Sequence, residues 1–163
     1  MQTKIVPVGL EDYKKIIDGN YYYVDKTLLI RKLRDAGGEA NLFLRPRRFG
    51  KTLTLSMLKY FYEDTGNTEQ NAANHALFDG MKIMGEPARY CENMTAYPVI
   101  SLTLKSAKQD TFQKAAYILK ETIASEFMRH NTVYKQLSNE TYRDRWNRIV
   151  SLKGELEEYH TNN

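Results

Sequence analysis

A short apolar segment, Asn41 to Arg45, leads through a basic loop into Gly50-Lys51-Thr52 and then into an amphipathic stretch. The apolar residues of the segment do not alternate with polar ones, which is typical of a strand covered on both faces of a sheet. Arg45 precedes a proline, so its backbone is biased towards extended geometry. From Thr52 to Asp64 the apolar residues recur at helical spacing. The sequence therefore predicts a strand, a tight loop and a helix in direct succession.

This loop supplies the groups that bind a phosphate chain. Gly50 allows a close backbone approach, Lys51 supplies a positive charge, and the Thr52 hydroxyl is a ligand for Mg²⁺. Backbone NH groups from 47 to 52 are expected to point inward at the positive end of the helix dipole. The standard pattern G-x-x-x-x-G-K-[ST] has a glycine where this chain has Arg45, followed by Pro46, which lacks a donor. A helix start in a basic surface loop is the alternative reading.

Composition narrows the class of protein. The 163 residues fit one domain, and 27% charged residues with a mean hydropathy of -0.60 exclude a membrane protein. The single cysteine, Cys91, excludes an internal disulfide framework. The N-terminus has no signal-peptide pattern, so we expect a cytoplasmic protein. The net charge of +4 is concentrated near the loop, which favours a local anion such as a phosphate chain over a polymer.

Helices and one further strand are predicted elsewhere. A run of alternating residues, Val99 to Leu104, indicates a half-exposed strand at a sheet edge. Helical patterns run from Gly9 to a stop at Gly19, from an Asp25 cap to Gly37, and from Asp110 to His130. A last helix is predicted after a cap at Ser138 or Asn139. We expect one α/β unit.

Two segments, YYYVDKTLLIRKL and LFLRPRRFGKTLTLSMLKYFYE, closely resemble the predicted AAA-ATPase-like family of bacterial and archaeal proteins. In that family a divergent Walker A of the form RPRRFGKT replaces the glycine-rich version. The later FDGMKI and YPVISLTLK are also similar to the family. The resemblance spans nearly the whole chain and is densest from Pro7 to Glu63.

The resemblance implies an α/β fold, a P-loop NTPase domain of three layers, with ATP and Mg²⁺ as cofactors. It assigns Gly50, Lys51 and Thr52 to Walker A, with Thr52 as the metal ligand. Arg45, Pro46, Arg47, Arg48 and Phe49 form the rest of the loop. Family members are similar to P-loop ATPases with an extra strand between the Walker A and Walker B strands, and many carry a restriction-nuclease-like domain further on.

The family's Walker B, an apolar strand ending in acidic residues, has no counterpart in this sequence. We therefore expect a single domain, 1–163, that is truncated at its C-terminal end and has an incomplete sheet. Without those carboxylates phosphate binding survives, whereas hydrolysis is expected to be weak or absent. Whether the chain is an enzyme stays open, as does completion of the sheet by another copy of the chain or by a missing C-terminal portion.

Upstream of the loop, Asp25 and Lys26 follow Tyr22 and Tyr23, in the region where related ATPases approach the nucleotide base. A tyrosine here could stack on adenine, and we count Tyr23 and Asp25 among the nucleotide-binding candidates. The alternative is a strand end followed by a helix cap. A second function also stays open, a non-enzymatic nucleic-acid-binding or interaction module that uses the basic cluster from Arg45 to Lys51.

Overall fold

The computed structural model describes residues 4–44, 46 and 48–161, with side chains as far as Leu152. Regular structure in these residues is helical. The α-helices are α1 (Tyr13–Asp18), α2 (Leu28–Ala36), α3 (Lys51–Tyr62), α4 (Thr68–Ala76), α5 (Phe112–Arg129), α6 (Asn131–Gln136) and α7 (Glu140–Thr161). Two short 3-10 helices, Lys82–Gly85 and Ala88–Tyr90, lie between α4 and α5.

The contacts divide the chain into two compact units, Met1–Val99 and Ile100–Asn163. The first unit holds α1 to α4 with the two 3-10 helices, and the second holds α5 to α7. The single domain over 1–163 stays a prediction. No helix in the described ranges has both the length and the apolar character needed to cross a membrane.

The helix boundaries follow local capping chemistry. The Asp12 side chain accepts a hydrogen bond from the Lys15 NH and begins α1, and Gly37, in the left-handed conformation, ends α2. The Thr111 hydroxyl accepts from the Lys114 NH at the start of α5. The Asn139 side chain accepts from the Tyr142 NH in the first turn of α7. These helices were predicted from the sequence and are confirmed, except that the N-cap of α2 is Thr27 and not the predicted Asp25.

The core of the first unit is aromatic. Tyr13 is fully buried, and its ring centroid lies 5.1 Å from that of Phe78 and 5.3 Å from that of Tyr23. Phe61 of α3 meets Phe78 edge-on at 5.2 Å. Such offset pairs add to the free energy gained from burial. The core therefore joins α1 and α3 to the segment after α4.

In the second unit, α5 packs along α7. The ring of Trp146 in α7 lies 4.8 Å from that of Phe127 and 5.7 Å from that of Tyr134. Buried His130 connects α5 to α6, and its NH bonds the Phe127 carbonyl. Helix α6 was not predicted from the sequence.

The predicted α/β fold, a three-layer P-loop domain with an incomplete sheet, is wrong for the described residues. They contain no sheet, and the only pairing of strand type is one parallel bridge between Glu63 and Tyr97. Residues 41–44 form no strand or helix, with Leu42 82% and Leu44 81% exposed. Residues 99–104 likewise form no strand, the Ser101 NH donates to a Glu126 carboxylate oxygen instead, and Ile100 is 70% exposed. The predicted strand at Asn41 to Arg45 ends on a residue outside the described part.

The physical reason is that a strand has two requirements, suitable side chains and a neighbouring strand, and an apolar run meets only the first. β-Propensity reports side chains that suit a pleated, half-buried surface, whereas a strand also requires a neighbour for its backbone donors and acceptors. Tyr21 to Val24, also strand-like in composition, likewise forms no strand, and its backbone bonds run from the Tyr21 NH to the Ile16 carbonyl at 3.0 Å and from the Tyr22 NH to the Ile5 carbonyl at 2.9 Å.

Candidate functional site

The chain makes a tight turn immediately before α3. Arg48 has a φ of 68° and Gly50 a φ of 73°, both in the left-handed region that L-residues other than glycine rarely adopt. Lys51 then begins the right-handed helix α3. A left-handed residue followed by a right-handed one directs neighbouring backbone NH groups to the same side, which is the geometry of an anion-binding nest.

The carbonyl of Gly50 is fixed by the first turn of α3. It accepts a hydrogen bond from the Thr54 NH at 2.9 Å and another from the Thr54 hydroxyl at 2.8 Å. Thr54 is buried, so this anchor is protected from water. Helix geometry leaves the NH groups of the first turn, from Lys51 to Leu53, without intrahelical acceptors. These amides therefore lie at the positive end of the α3 dipole.

The side chains of the turn differ in exposure. Phe49 is 61% exposed and Thr52 is exposed, whereas Lys51 is half-buried. Arg48 is also exposed. Two further candidates from the sequence, Arg45 and Arg47, lie outside the described residues. The described turn thus brings one guanidinium, one ammonium, one hydroxyl and an aromatic ring to the start of one helix.

A second ammonium group lies at the same place. A Cβ atom added to Gly50 would lie 3.5 Å from Nζ of Lys26. Lys26 precedes α2 and is 24 residues from Gly50 in the sequence, so the contact is tertiary. Within the described part of the chain the Lys26 ammonium makes no hydrogen bond or ion pair. Lys26 was noted in the sequence beside Asp25 but was not counted among the binding candidates.

Asp25 holds the backbone on either side of Lys26. Its Oδ1 atom accepts from the NH and the hydroxyl of Thr27 at 2.8 and 2.7 Å. Its Oδ2 atom accepts from the Lys82 NH at 2.8 Å, and the buried Thr27 hydroxyl accepts from the Ile83 NH at 3.1 Å. Burial raises the pKa of Asp25, but these hydrogen bonds outweigh it and the pKa lies below its ordinary value. The carboxylate is therefore ionised and engaged by protein donors.

Tyr23 lies under this segment. Its ring packs edge-on against Tyr13, and its hydroxyl donates to the sulfur of Met57 at 3.6 Å. Burial raises the pKa of Tyr23 to about 12, with a smaller contribution from Asp25 in the same direction. The neighbouring Tyr22 is 55% exposed. The structure thus puts Tyr23 in the support of the Lys26 segment, and its contact with a base stays a prediction.

The sequence places Lys26 in a segment that resembles the family, but it does not indicate which part of the protein Lys26 contacts. The run Val24-Asp25-Lys26-Thr27 is part of the segment that carries the family resemblance, yet nothing in it states that a residue so far from Gly50 returns to that glycine. Only the hydrogen bonds of Asp25 and Thr27 to residues 82 and 83 fix the path. No group of three or more His, Cys, Asp or Glu side chains in the described ranges could hold a metal ion.

Comparison with known proteins bears on this site. A family model described as a predicted AAA-ATPase, AAA-ATPase-like, matches residues 7–160. The chain is also 39% identical, over 85 residues, to a protein of Azotobacter chroococcum mcd 1 described as an uncharacterized protein in the vnfD 5′ region. The match covers 51% of this chain and 14% of that relative, so the relative is much longer than the matched part. No solved structure matches the chain.

Proposed function

The chain belongs to the predicted AAA-ATPase-like family, and on that premise we propose that it binds ATP, as its magnesium complex, at the start of α3. The binding loop is Pro46 to Thr52. Gly50, Lys51 and Thr52 form its end, and Arg48 and Phe49 its outer turn. Arg47 belongs to the proposed loop by its place in the sequence.

The observation that carries the proposal is the left-handed Gly50 directly followed by helical Lys51. This pair turns backbone NH groups towards one point at the positive end of a helix. Lys51, Arg48 and Lys26 add positive charge around that point. A polyphosphate is the ligand whose charge and oxygen acceptors fit such a set of donors.

Thr52 is the proposed protein ligand of Mg²⁺. Thr52 is an exposed residue in the first turn of α3, next to the proposed phosphate site. Mg²⁺ commonly keeps several waters and takes most of its remaining ligands from the substrate phosphates. One hydroxyl therefore fits a metal that arrives with the nucleotide. The bound ion would bridge phosphate oxygens and neutralise part of their charge.

Binding is proposed without efficient hydrolysis. Asp25 is the acidic residue next to the Lys26 segment, and both of its carboxylate oxygens accept hydrogen bonds from protein donors. A carboxylate so engaged is a poor candidate for orienting an attacking water. We expect turnover of MgATP by this chain to be weak or absent.

Calorimetric titration with MgATP tests the proposal. Lys51→Met removes the positive charge on the first residue of α3 and should weaken binding about tenfold or more, since a hydrogen bond to a charged group contributes roughly 1.5 to 3 kcal/mol. The matched control is Lys32→Met, which removes an exposed charge in α2. Equal affinity in wild type and Lys51→Met would overturn the assignment.

A single-stranded nucleic acid is the second candidate ligand, and one observation favours it. Phe49 is 61% exposed beside Arg48 at the tip of the basic turn, and an exposed aromatic ring next to cations is the usual platform for stacking bases. This ligand predicts binding that weakens steeply with salt and is lost in Phe49→Ala. MgATP binding that tolerates salt and survives Phe49→Ala would favour the nucleotide.

We also propose a cytoplasmic location. Cys91 is a free thiol, and desolvation raises its pKa above the ordinary value despite the opposing effect of Arg34. An unpaired thiol suits a reducing compartment. Fractionation of cells that express the chain would test this location.

A further inference from the structure

Lys26 is a cation without a protein partner in the described residues, and it stands where a cation is electrostatically unfavourable. Its Nζ atom would lie 3.5 Å from a Cβ atom on Gly50, the residue that caps α3. Helix N-termini favour negative groups, because the unsatisfied NH groups give that end a partial positive charge. Lys51 and Arg48, which are close to Gly50 in the sequence, are positively charged as Lys26 is. Within the described residues, therefore, no hydrogen bond or ion pair compensates for this placement of the ammonium group.

The position of Lys26 is nevertheless tightly fixed. Asp25 and Thr27, its two neighbours in the sequence, bond each other and the backbone of residues 82 and 83. Thr27 is fully buried, so the hydrogen bonds around it are shielded from water. The backbone NH of Lys26 lies 3.5 Å from the hydroxyl of Tyr23, which packs in the core. The segment thus presents the ammonium group to Gly50 from a prepared backbone.

The Lys26 ammonium group belongs to a backbone segment that is fixed by hydrogen bonds, and it has no protein partner in the described residues although it lies beside a nest of amides. An anion that carries more than one charge would explain this arrangement. We propose that Lys26 is a second phosphate-binding cation, which contacts the polyphosphate of the nucleotide together with Lys51. The inference rests on the proposed function, and it assigns to the segment before α2 a role in recognising phosphate rather than base. It also predicts that affinity rises with the number of phosphates on the ligand.

The experiment compares four proteins, namely wild type, Lys26→Met, Lys26→Arg and the control Lys32→Met. Each is titrated by calorimetry with MgATP, with AMP and with inorganic tripolyphosphate. Methionine keeps the length of the aliphatic stem, so the substitution removes the charge alone. We expect Lys26→Met to weaken both polyphosphates about tenfold and AMP by much less, Lys26→Arg to retain most of the affinity, and the control to match wild type.

Thermal melting without ligand separates recognition from a structural role. Because the ammonium group makes no hydrogen bond or ion pair within the described residues, Lys26→Met should melt at the same temperature as wild type or slightly higher. Tripolyphosphate should raise the melting temperature of wild type more than that of Lys26→Met. A free Lys26→Met protein that melts several degrees lower, with affinity lost equally in Lys26→Arg, would mean that Lys26 supports the fold and would overturn the inference.

The two proposals fail differently. If Lys51→Met loses affinity for MgATP while Lys26→Met binds as wild type does, the inference about Lys26 is wrong and nucleotide binding stands. If wild type binds neither MgATP nor tripolyphosphate, both proposals are overturned. A loss of tripolyphosphate and MgATP binding in both variants, with melting temperatures preserved, supports both.

Discussion

Asp25 and Thr27 close a hydrogen-bonded turn in which Oδ1 of Asp25 accepts from both the NH and the hydroxyl of Thr27, at 2.8 and 2.7 Å. The turn is also bonded to a distant part of the first unit, because Oδ2 of Asp25 accepts a hydrogen bond from the NH of Lys82. One carboxylate thus joins the segment before α2 to the 3-10 helix that begins at Lys82. Lys26 lies inside the turn, so the candidate site inherits its geometry from this pair.

Replacing Asp25 should therefore cost stability. Asp25→Ala removes three hydrogen bonds to an ionised acceptor, and we expect the free energy of unfolding to fall by about 2 kcal/mol. Urea denaturation followed by circular dichroism measures the change. The control is Asp18→Ala, which removes an exposed ion pair with Lys14 on α1 and should cost less than about 0.5 kcal/mol. Equal losses in both variants would contradict the assigned role of the turn.

The same carboxylate makes the stability of the folded protein sensitive to acid. The pKa of Asp25 in the folded protein lies below its ordinary value of 3.8, so its contribution is fully present above that value. The contribution is lost as the pH falls through the lower, folded pKa. Stability should therefore decline below about pH 4, and the decline should be shallower in Asp25→Asn. Urea unfolding at several pH values between 2 and 6 measures how steeply the free energy of unfolding falls in wild type and in Asp25→Asn. Equal slopes in the two proteins would contradict this contribution of Asp25.

A buried tyrosine hydroxyl provides a test of the core. The Tyr13 hydroxyl donates to the Leu77 carbonyl at 3.1 Å, and burial raises the pKa of Tyr13 well above its ordinary value. Tyr13→Phe leaves that carbonyl without its side-chain donor and should destabilise the protein by about 1 to 2 kcal/mol. Tyr60→Phe, which loses a part-buried bond to Asp12 at 3.1 Å, should cost less. Chemical denaturation ranks the two variants, and the reverse order would be incompatible with this packing.

Gly50 should resist substitution for a backbone reason. Its φ of 73° is left-handed, where an added Cβ atom costs roughly 1 to 2 kcal/mol. Gly50→Ala should lower stability by about that amount and should also weaken MgATP binding, because relaxing the turn redirects its NH groups. The control is Gly85→Ala, where an added Cβ atom would meet nothing within 4 Å. Unchanged stability and unchanged nucleotide affinity in Gly50→Ala would argue against the nest.

The second unit has its own optical probe. The chain has one tryptophan, Trp146, whose ring lies against Phe127 and Tyr134. Its fluorescence should therefore report the unfolding of residues 100–163. Phe127→Leu removes the edge contact at 4.8 Å and should destabilise this unit by about 1 kcal/mol. Emission that does not shift to longer wavelength on unfolding, or a midpoint unchanged in the variant, would contradict the packing of α5 against α7.

The helices were the predictable part of the fold. Helix α3 was expected from Thr52 to Asp64 and runs Lys51–Tyr62, and the cap for the last helix was placed at Ser138 or Asn139. Both signals are local, since apolar spacing and capping side chains act within a few residues of chain. The strands were not predictable in the same way. Residues 41–44 and 99–104 have strand-like composition, but a strand depends on a partner elsewhere in the chain, and composition cannot supply one.

The candidate site also has a part that the sequence predicts and a part that it does not. The sequence by itself determined the family, the Gly50-Lys51-Thr52 start of a helix and the cationic character of the loop, because these depend on neighbouring residues. Tertiary structure alone decided that Lys26 returns to Gly50 and that Asp25 and Tyr23 lie in its support. The physical reason is distance along the chain: Asp25 finds the NH of Lys82 57 residues away, and such a contact depends on how the aromatic core between them packs.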